Sequence, residues 1–122
     1  MNVSESVLNL AREAKAAART LSSLSSEIKN RALLRMADRL VEETKSLVTE
    51  NKKDLDTAET KGLSGAMVDR LRLTERSIAD MAQGLREVAA LPDPVGAVIS
   101  MWKRPNGLQV GRMRIPLGVI GI

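Results

Sequence analysis

The last six residues, Leu117-Gly-Val-Ile-Gly-Ile122, constrain this chain more than any other stretch. They are apolar without alternation, the pattern of a strand covered on both faces in a parallel sheet. Such a strand needs neighbours on both edges and helices on both faces, and no other segment of the 122 residues reads as a parallel partner. Leaving Leu117, Val119, Ile120 and Ile122 uncovered forfeits roughly 1.5–3 kcal/mol for each side chain, on the order of 6–12 kcal/mol together. Whole domains are stable by only about 5–15 kcal/mol. The sequence is therefore expected to be a fragment of a longer α/β protein, stopping inside the first strand of a sheet.

Everything before residue 96 reads as helical. From Ser4 to Leu21, the residues Val7, Leu10, Ala11, Ala14, Ala17 or Ala18, and Leu21 recur every three or four positions, one stripe of a helix with Arg12, Lys15 and Arg19 opposite. Ser22, Ser23, Ser25 and Ser26 interrupt the stripe and offer N-cap hydroxyls to the next helix. That helix is predicted from Ser26 through Leu33, Met36, Ala37, Leu40, Leu47 and Val48, continuing through Leu55 and Ala58 until Gly62 ends it. Its many charges read as a solvated face with helix-spaced ion pairs. Ser64 to Leu71 reads as a short helical turn, and Thr74 as the N-cap of a helix with the stripe Ile78, Met81, Ala82, Leu85 and Val88 or Ala89. Gly84 inside that helix costs up to ~1 kcal/mol relative to Ala, so either a neighbour packs closely there or the helix is locally weak. Leu91-Pro-Asp-Pro-Val-Gly96 is a stop, because two prolines two residues apart favour an extended connection. Residues 97–104 and 108–115 then read as a β-hairpin turning at Pro105-Asn106-Gly107, and Pro116 separates it from the final run.

Composition narrows the chemistry. With no cysteine and no histidine, thiolate nucleophiles, disulfides, Cys/His zinc sites and the usual neutral-pH base are excluded. Trp102 is the only aromatic residue, so packing is expected to be aliphatic. Asp54-Leu-Asp56 lacks the Gly and Glu of a calcium loop, and no metal site is expected. The start has no basic segment followed by an apolar one, and no apolar run approaches the ~18 residues that cross a bilayer, so a soluble, cytoplasmic protein without membrane partners is expected. Asn2-Val3-Ser4 fits the glycosylation pattern, which carries no meaning without secretion. Net charge is +4, and residues 97–122 hold four basic groups and no acidic one, so all of the excess lies there. A solvated strand edge kept soluble by Lys and Arg accounts for it, as would an anionic partner or a subunit interface with an acidic complement. Nucleic acid is not the expected partner, since the helix faces are near neutral and no stacking aromatics accompany Trp102.

Leu91-Pro-Asp-Pro-Val-Gly96, then Trp102-Lys-Arg-Pro-Asn-Gly-Leu108, then Arg112-Met-Arg-Ile-Pro-Leu-Gly-Val-Ile-Gly-Ile122 closely resemble the γ-glutamyl phosphate reductase family. Upstream, Leu10–Ala17, Met36-Ala-Asp-Arg-Leu40, Asn51-Lys-Lys-Asp-Leu55 and Asp69-Arg-Leu-Arg-Leu-Thr74 resemble its N-terminal helices in the same order. No one motif is a catalytic signature; their order and spacing carry the resemblance, which covers nearly all of this chain and less than a third of a full family member. It implies an α/β parent of the aldehyde-dehydrogenase superfamily. Residues 1–96 would be the helical part of the cofactor-binding domain, 97–115 an oligomerisation hairpin, and 116–122 the first strand of the nucleotide-binding sheet.

The activity implied is NADPH-dependent reduction of L-glutamate 5-phosphate to L-glutamate 5-semialdehyde with release of phosphate, a step of proline biosynthesis, by a homo-oligomer. Acyl transfer of this kind needs a thiolate, and this chain has none. No residue here carries over as catalytic, cofactor-binding or metal-binding, and the chain alone is expected to be inactive and to bind no cofactor. Gly118 and Gly121 could allow close backbone approach to a cofactor, with tight strand packing as the plainer account; Gly-Val-Ile-Gly is not the dinucleotide fingerprint. The alternative is a helical interaction module that pairs with intact subunits through its hairpin and competes with their assembly.

Overall fold

The computed structural model describes residues 2–121. Five α-helices are followed by a two-stranded antiparallel hairpin: α1 (Val3–Leu21), α2 (Ser26–Glu42), α3 (Thr44–Thr60), α4 (Gly65–Leu71), α5 (Glu75–Ala90), β1 (Val98–Lys103) and β2 (Gln109–Met113). The chain divides into two compact units, Asn30–Leu91 and the two chain ends outside it.

Asn30–Leu91 contains every residue that is buried among those described. Ala37, Ala58, Val68, Ile78, Ala82 and Ala89 form the core, with Asn51 as its one polar member. Ile78, Ala82 and Ala89 lie along one face of α5, as the period of 3.6 requires, and α3 packs against both α4 and α5. Caps fix the ends. The Thr74 hydroxyl accepts from the Ser77 amide at 3.0 Å while the Thr74 amide donates to Ser77 Oγ at 2.8 Å, a reciprocal box at the start of α5. Gly62, at φ 70°, follows α3, and the amides of Gly62 and Leu63 donate back to the carbonyls of Glu59 and Ala58. That pairing is the Schellman arrangement, which satisfies carbonyls a helix end otherwise leaves open. Nothing lies within 4 Å of a Cβ placed on Gly84, so the helix there is locally weak rather than closely packed.

The helix expected to run unbroken from Ser26 to Ala58 is two helices, parted at Glu43. No Gly or Pro marks the place. Thr44 Oγ1 donates to the carbonyls of Leu40 at 3.1 Å and Val41 at 2.9 Å, local bonds that compete with the regular ladder and bend it.

In the unit formed by the chain ends, α1 begins in a capping box. Asn2 Oδ1 accepts from the Ser4 amide at 3.4 Å, and the Asn2 amide donates to Glu5 at 3.2 Å, so the Asn-Val-Ser triplet serves as a helix start. The α1 stripe is not buried: Val7, Leu10 and Leu21 are all exposed. Ser25 caps α2, its Oγ accepting from the Ile28 amide at 3.4 Å. In the hairpin, Trp102 stands opposite Val110 and Met101 opposite Gly111, with an irregularity between Val98 and Ser100. The Gly107 amide donates to the Arg104 carbonyl at 2.9 Å and the Arg104 amide to the Leu108 carbonyl at 2.7 Å. Gly107 sits at φ 86°, the left-handed position this turn demands.

The final apolar run is not a strand over residues 117–121, and Ile122 lies outside the described residues. The reason is the missing ladder: among the described residues the sheet has two strands, and neither runs alongside this segment. Gly118, at φ 89°, takes the backbone out of extended geometry.

Candidate functional site

The residues that stand out for function lie on the hairpin and the segment after it. All of β1 is exposed, and of β2 only Val110 is partly covered. Val98, Ile99, Met101, Leu108, Met113, Ile115, Val119 and Ile120 face solvent, and Leu117 is 89 % exposed. Trp102, at 41 %, is the largest of these side chains. Lys103, Arg104, Arg112 and Arg114 stand among these apolar residues in the sequence. Gly111 lets the strands close: a Cβ there would lie 3.1 Å from the Met101 side chain and 3.2 Å from the Ser100 carbonyl.

Beside the hairpin, an open hollow is lined by Ala11, Lys15, Ala18 and Arg19 of α1 and by Ser22 just past its end, across from residues 115–119. Neither Gly118 nor Gly121 has an atom within 4 Å of where its Cβ would be. Gly118 takes a positive φ of 89°, a backbone conformation that favours glycine.

At the base of the hairpin arm sits Asp93, the acid of Pro-Asp-Pro. Its carboxylate accepts from Ser26 Oγ at 2.8 Å and from the Val95 amide at 3.0 Å, and it pairs with the Lys29 ammonium. The side chains of Asp93 and Lys29 are 16 % and 24 % exposed. The hydrogen bond from Lys29, then the Val95 amide and the Ser26 hydroxyl, lower the Asp93 pKa from 3.8 to about 2.

In the helical unit, Asn51 Nδ2 donates to the Leu71 carbonyl at 3.0 Å and Oδ1 accepts from the Leu73 amide at 2.8 Å. It closes the α4–α5 connection over a groove that also holds Lys52, Asp56, Glu59 and Arg72. Asp54 and Asp56 lie within α3, where no loop could wrap a cation, and among the described residues no group of three potential ligands gathers. Among the described residues no helix is long and apolar enough to cross a membrane. Sequence reasoning passed over Asp93 and Asn51. Their only signal was a polar residue set between two prolines in one case and within a charged helix face in the other.

Known proteins resemble the chain over its whole length. The chain is 56 % identical over all of its 122 residues to the gamma-glutamyl phosphate reductase of Moorella thermoacetica, and 49 % identical over all of them to that of Thermodesulfovibrio yellowstonii. The chain is homologous to gamma-glutamyl phosphate reductases. The fold agrees: the crystal structure of gamma-glutamyl phosphate reductase from Thermotoga maritima superposes with a TM-score of 0.84 at 34 % identity over 89 % of this chain. That of the Saccharomyces cerevisiae protein superposes with a TM-score of 0.81 at 30 % identity over 88 %. The match is to the N-terminal region of those reductases. The chain spans 29 % of the length of the Moorella and Thermodesulfovibrio reductases and 26 % of the Thermotoga chain. No protein-family profile matches it.

Proposed function

We propose that the chain is the N-terminal part of an NADPH-dependent reductase of the aldehyde-dehydrogenase superfamily, acting in the cytoplasm. That enzyme converts L-glutamate 5-phosphate to L-glutamate 5-semialdehyde in proline biosynthesis. The observation that carries this reading is identity near one residue in two, over the whole chain, to reductases of that name. On it, residues 1–96 are the helical part of the cofactor-binding domain, 97–115 an oligomerisation hairpin, and 116–122 the first strand of the nucleotide-binding sheet. The absent neighbours of that strand account for the bare flank of Leu117, Val119 and Ile120.

The described residues do not suit a nicotinamide nucleotide. A dinucleotide cradle sets a glycine turn between a strand and a helix, whereas Gly118 and Gly121 lie in a segment that neither pairs as a strand nor precedes a helix. Cofactor contacts and the thiolate that attacks the acyl phosphate belong to the rest of the enzyme, and the 122 residues alone are inactive.

Exchanging residues 1–122 for the matching segment of the Moorella reductase tests the proposal. The chimera should oxidise glutamate 5-semialdehyde in the presence of NADP and phosphate; a chimera that folds and assembles yet does not turn over rules the reading out. The exposed, uniformly basic hairpin favours a second reading, in which the free chain pairs with intact subunits and competes with their assembly. Mixing it with a full-length reductase decides this, because an unchanged assembly size leaves that reading without support.

A further inference from the structure

The chain leaves its terminal unit after Lys29 and returns to it at Pro92. The Asp93 cluster lies within the terminal unit, where its two stretches of chain meet. Three donors from two separate stretches meet on one carboxylate: Ser26 Oγ and Lys29 Nζ from the first turn of α2, and the Val95 amide from the arm itself. The prolines on either side limit the backbone of Asp93, so its side chain is presented with little conformational freedom to lose. The arm beyond it lies across a hollow from α1 at residues 115–119. Its two strands pack chiefly on each other, and their bonds at the open end, Gly96 to Arg114 and Arg114 to Ala97, are internal to the hairpin.

We propose that Asp93 is a latch: by gathering Ser26, Lys29 and the Val95 amide it fixes the direction in which the hairpin arm, residues 92–121, departs from the start of α2. Opening the latch frees the arm while Asn30–Leu91 stays folded, because every buried apolar residue among those described lies in that unit and none touches the cluster by sequence or by bond. Asp93 is a positioning residue. Its effect is on where the hairpin surface points, and it is independent of what that surface binds.

The chain has no cysteine, so two introduced at Ser23 and Lys103, both exposed, carry spin labels at unique sites. The labelled 122-residue protein should give one narrow distance distribution. Asp93→Ala should broaden it and speed exchange of the Val95 amide about tenfold, while amides of α3 and α5 keep their protection. Lys29→Met, which leaves the carboxylate its two other donors, should broaden it less. Asp93→Glu should restore part of the narrow distribution if the carboxylate itself is what holds the arm. An unchanged distribution in both Asp93→Ala and Lys29→Met overturns the latch. So does an equal loss of protection in α3 and α5, which would make Asp93 a support of the whole fold.

Discussion

Two polar side chains do most of the specifying at the residue scale, and both act far along the chain. Asn51 satisfies a carbonyl and an amide 20 and 22 residues away. Asn51→Ala removes both part-buried bonds and should lower the unfolding free energy by about 1–3 kcal/mol in a urea titration. Asp93 predicts a pH dependence whose sign follows from its lowered pKa. The folded carboxylate titrates near 2 and the unfolded one near 3.8, so between those values the unfolded chain holds more protons. Its contribution is full above 3.8 and vanishes as pH falls toward 2. The spin-label distance distributions of the protein with Asp93 and with Asp93→Asn should therefore differ near neutrality and converge in acid. Neither role is readable from neighbours in sequence: Asn51 stands in a charge-dense helix face, Asp93 in a turn, and their partners are brought to them by the fold.

Elements were easier to read where periodicity and punctuation agree. The α5 stripe of Ile78, Ala82 and Ala89, its Thr74 cap and the Pro-Asp-Pro stop all follow from local chemistry. The stripe of α1 was as regular, yet it is exposed, because periodicity says which face is apolar and not whether anything covers it. The part at Glu43 escaped notice for a different reason: Thr44 turns its hydroxyl onto Leu40 and Val41 without any helix-breaking residue. Gly84 offers a direct test of element strength. With open space around its missing Cβ, Gly84→Ala should stabilise α5 by about 0.5–1 kcal/mol, measured by thermal denaturation. In the hairpin, Gly107→Val forces a branched side chain into a left-handed turn at a cost of about 1–2 kcal/mol. Trp102, the sole aromatic residue, makes its fluorescence a private report on that loss.

At the scale of the whole molecule, burial is unevenly shared. The helical unit holds every buried residue among those described, and the three most exposed large apolar side chains, Val3, Ile115 and Leu117, lie in the terminal unit. The sequence signalled this imbalance through the uncovered run at Leu117, although that run does not pair as a strand in this structure. Its family resemblance was legible because motifs from Leu10 to Gly121 keep their order, a property of the chain as a whole. If the hairpin is the assembly surface, Ile99→Lys in the chimera should shift its mass toward single subunits by light scattering while leaving helix content unchanged.

With water on both sides, the β-ribbon has no interior to spoil. Threonine in place of Ile99 or Met113 should leave heat resistance where it was and make solutions of the free polypeptide slower to cloud, so for these side chains turbidity, not melting, is the informative assay.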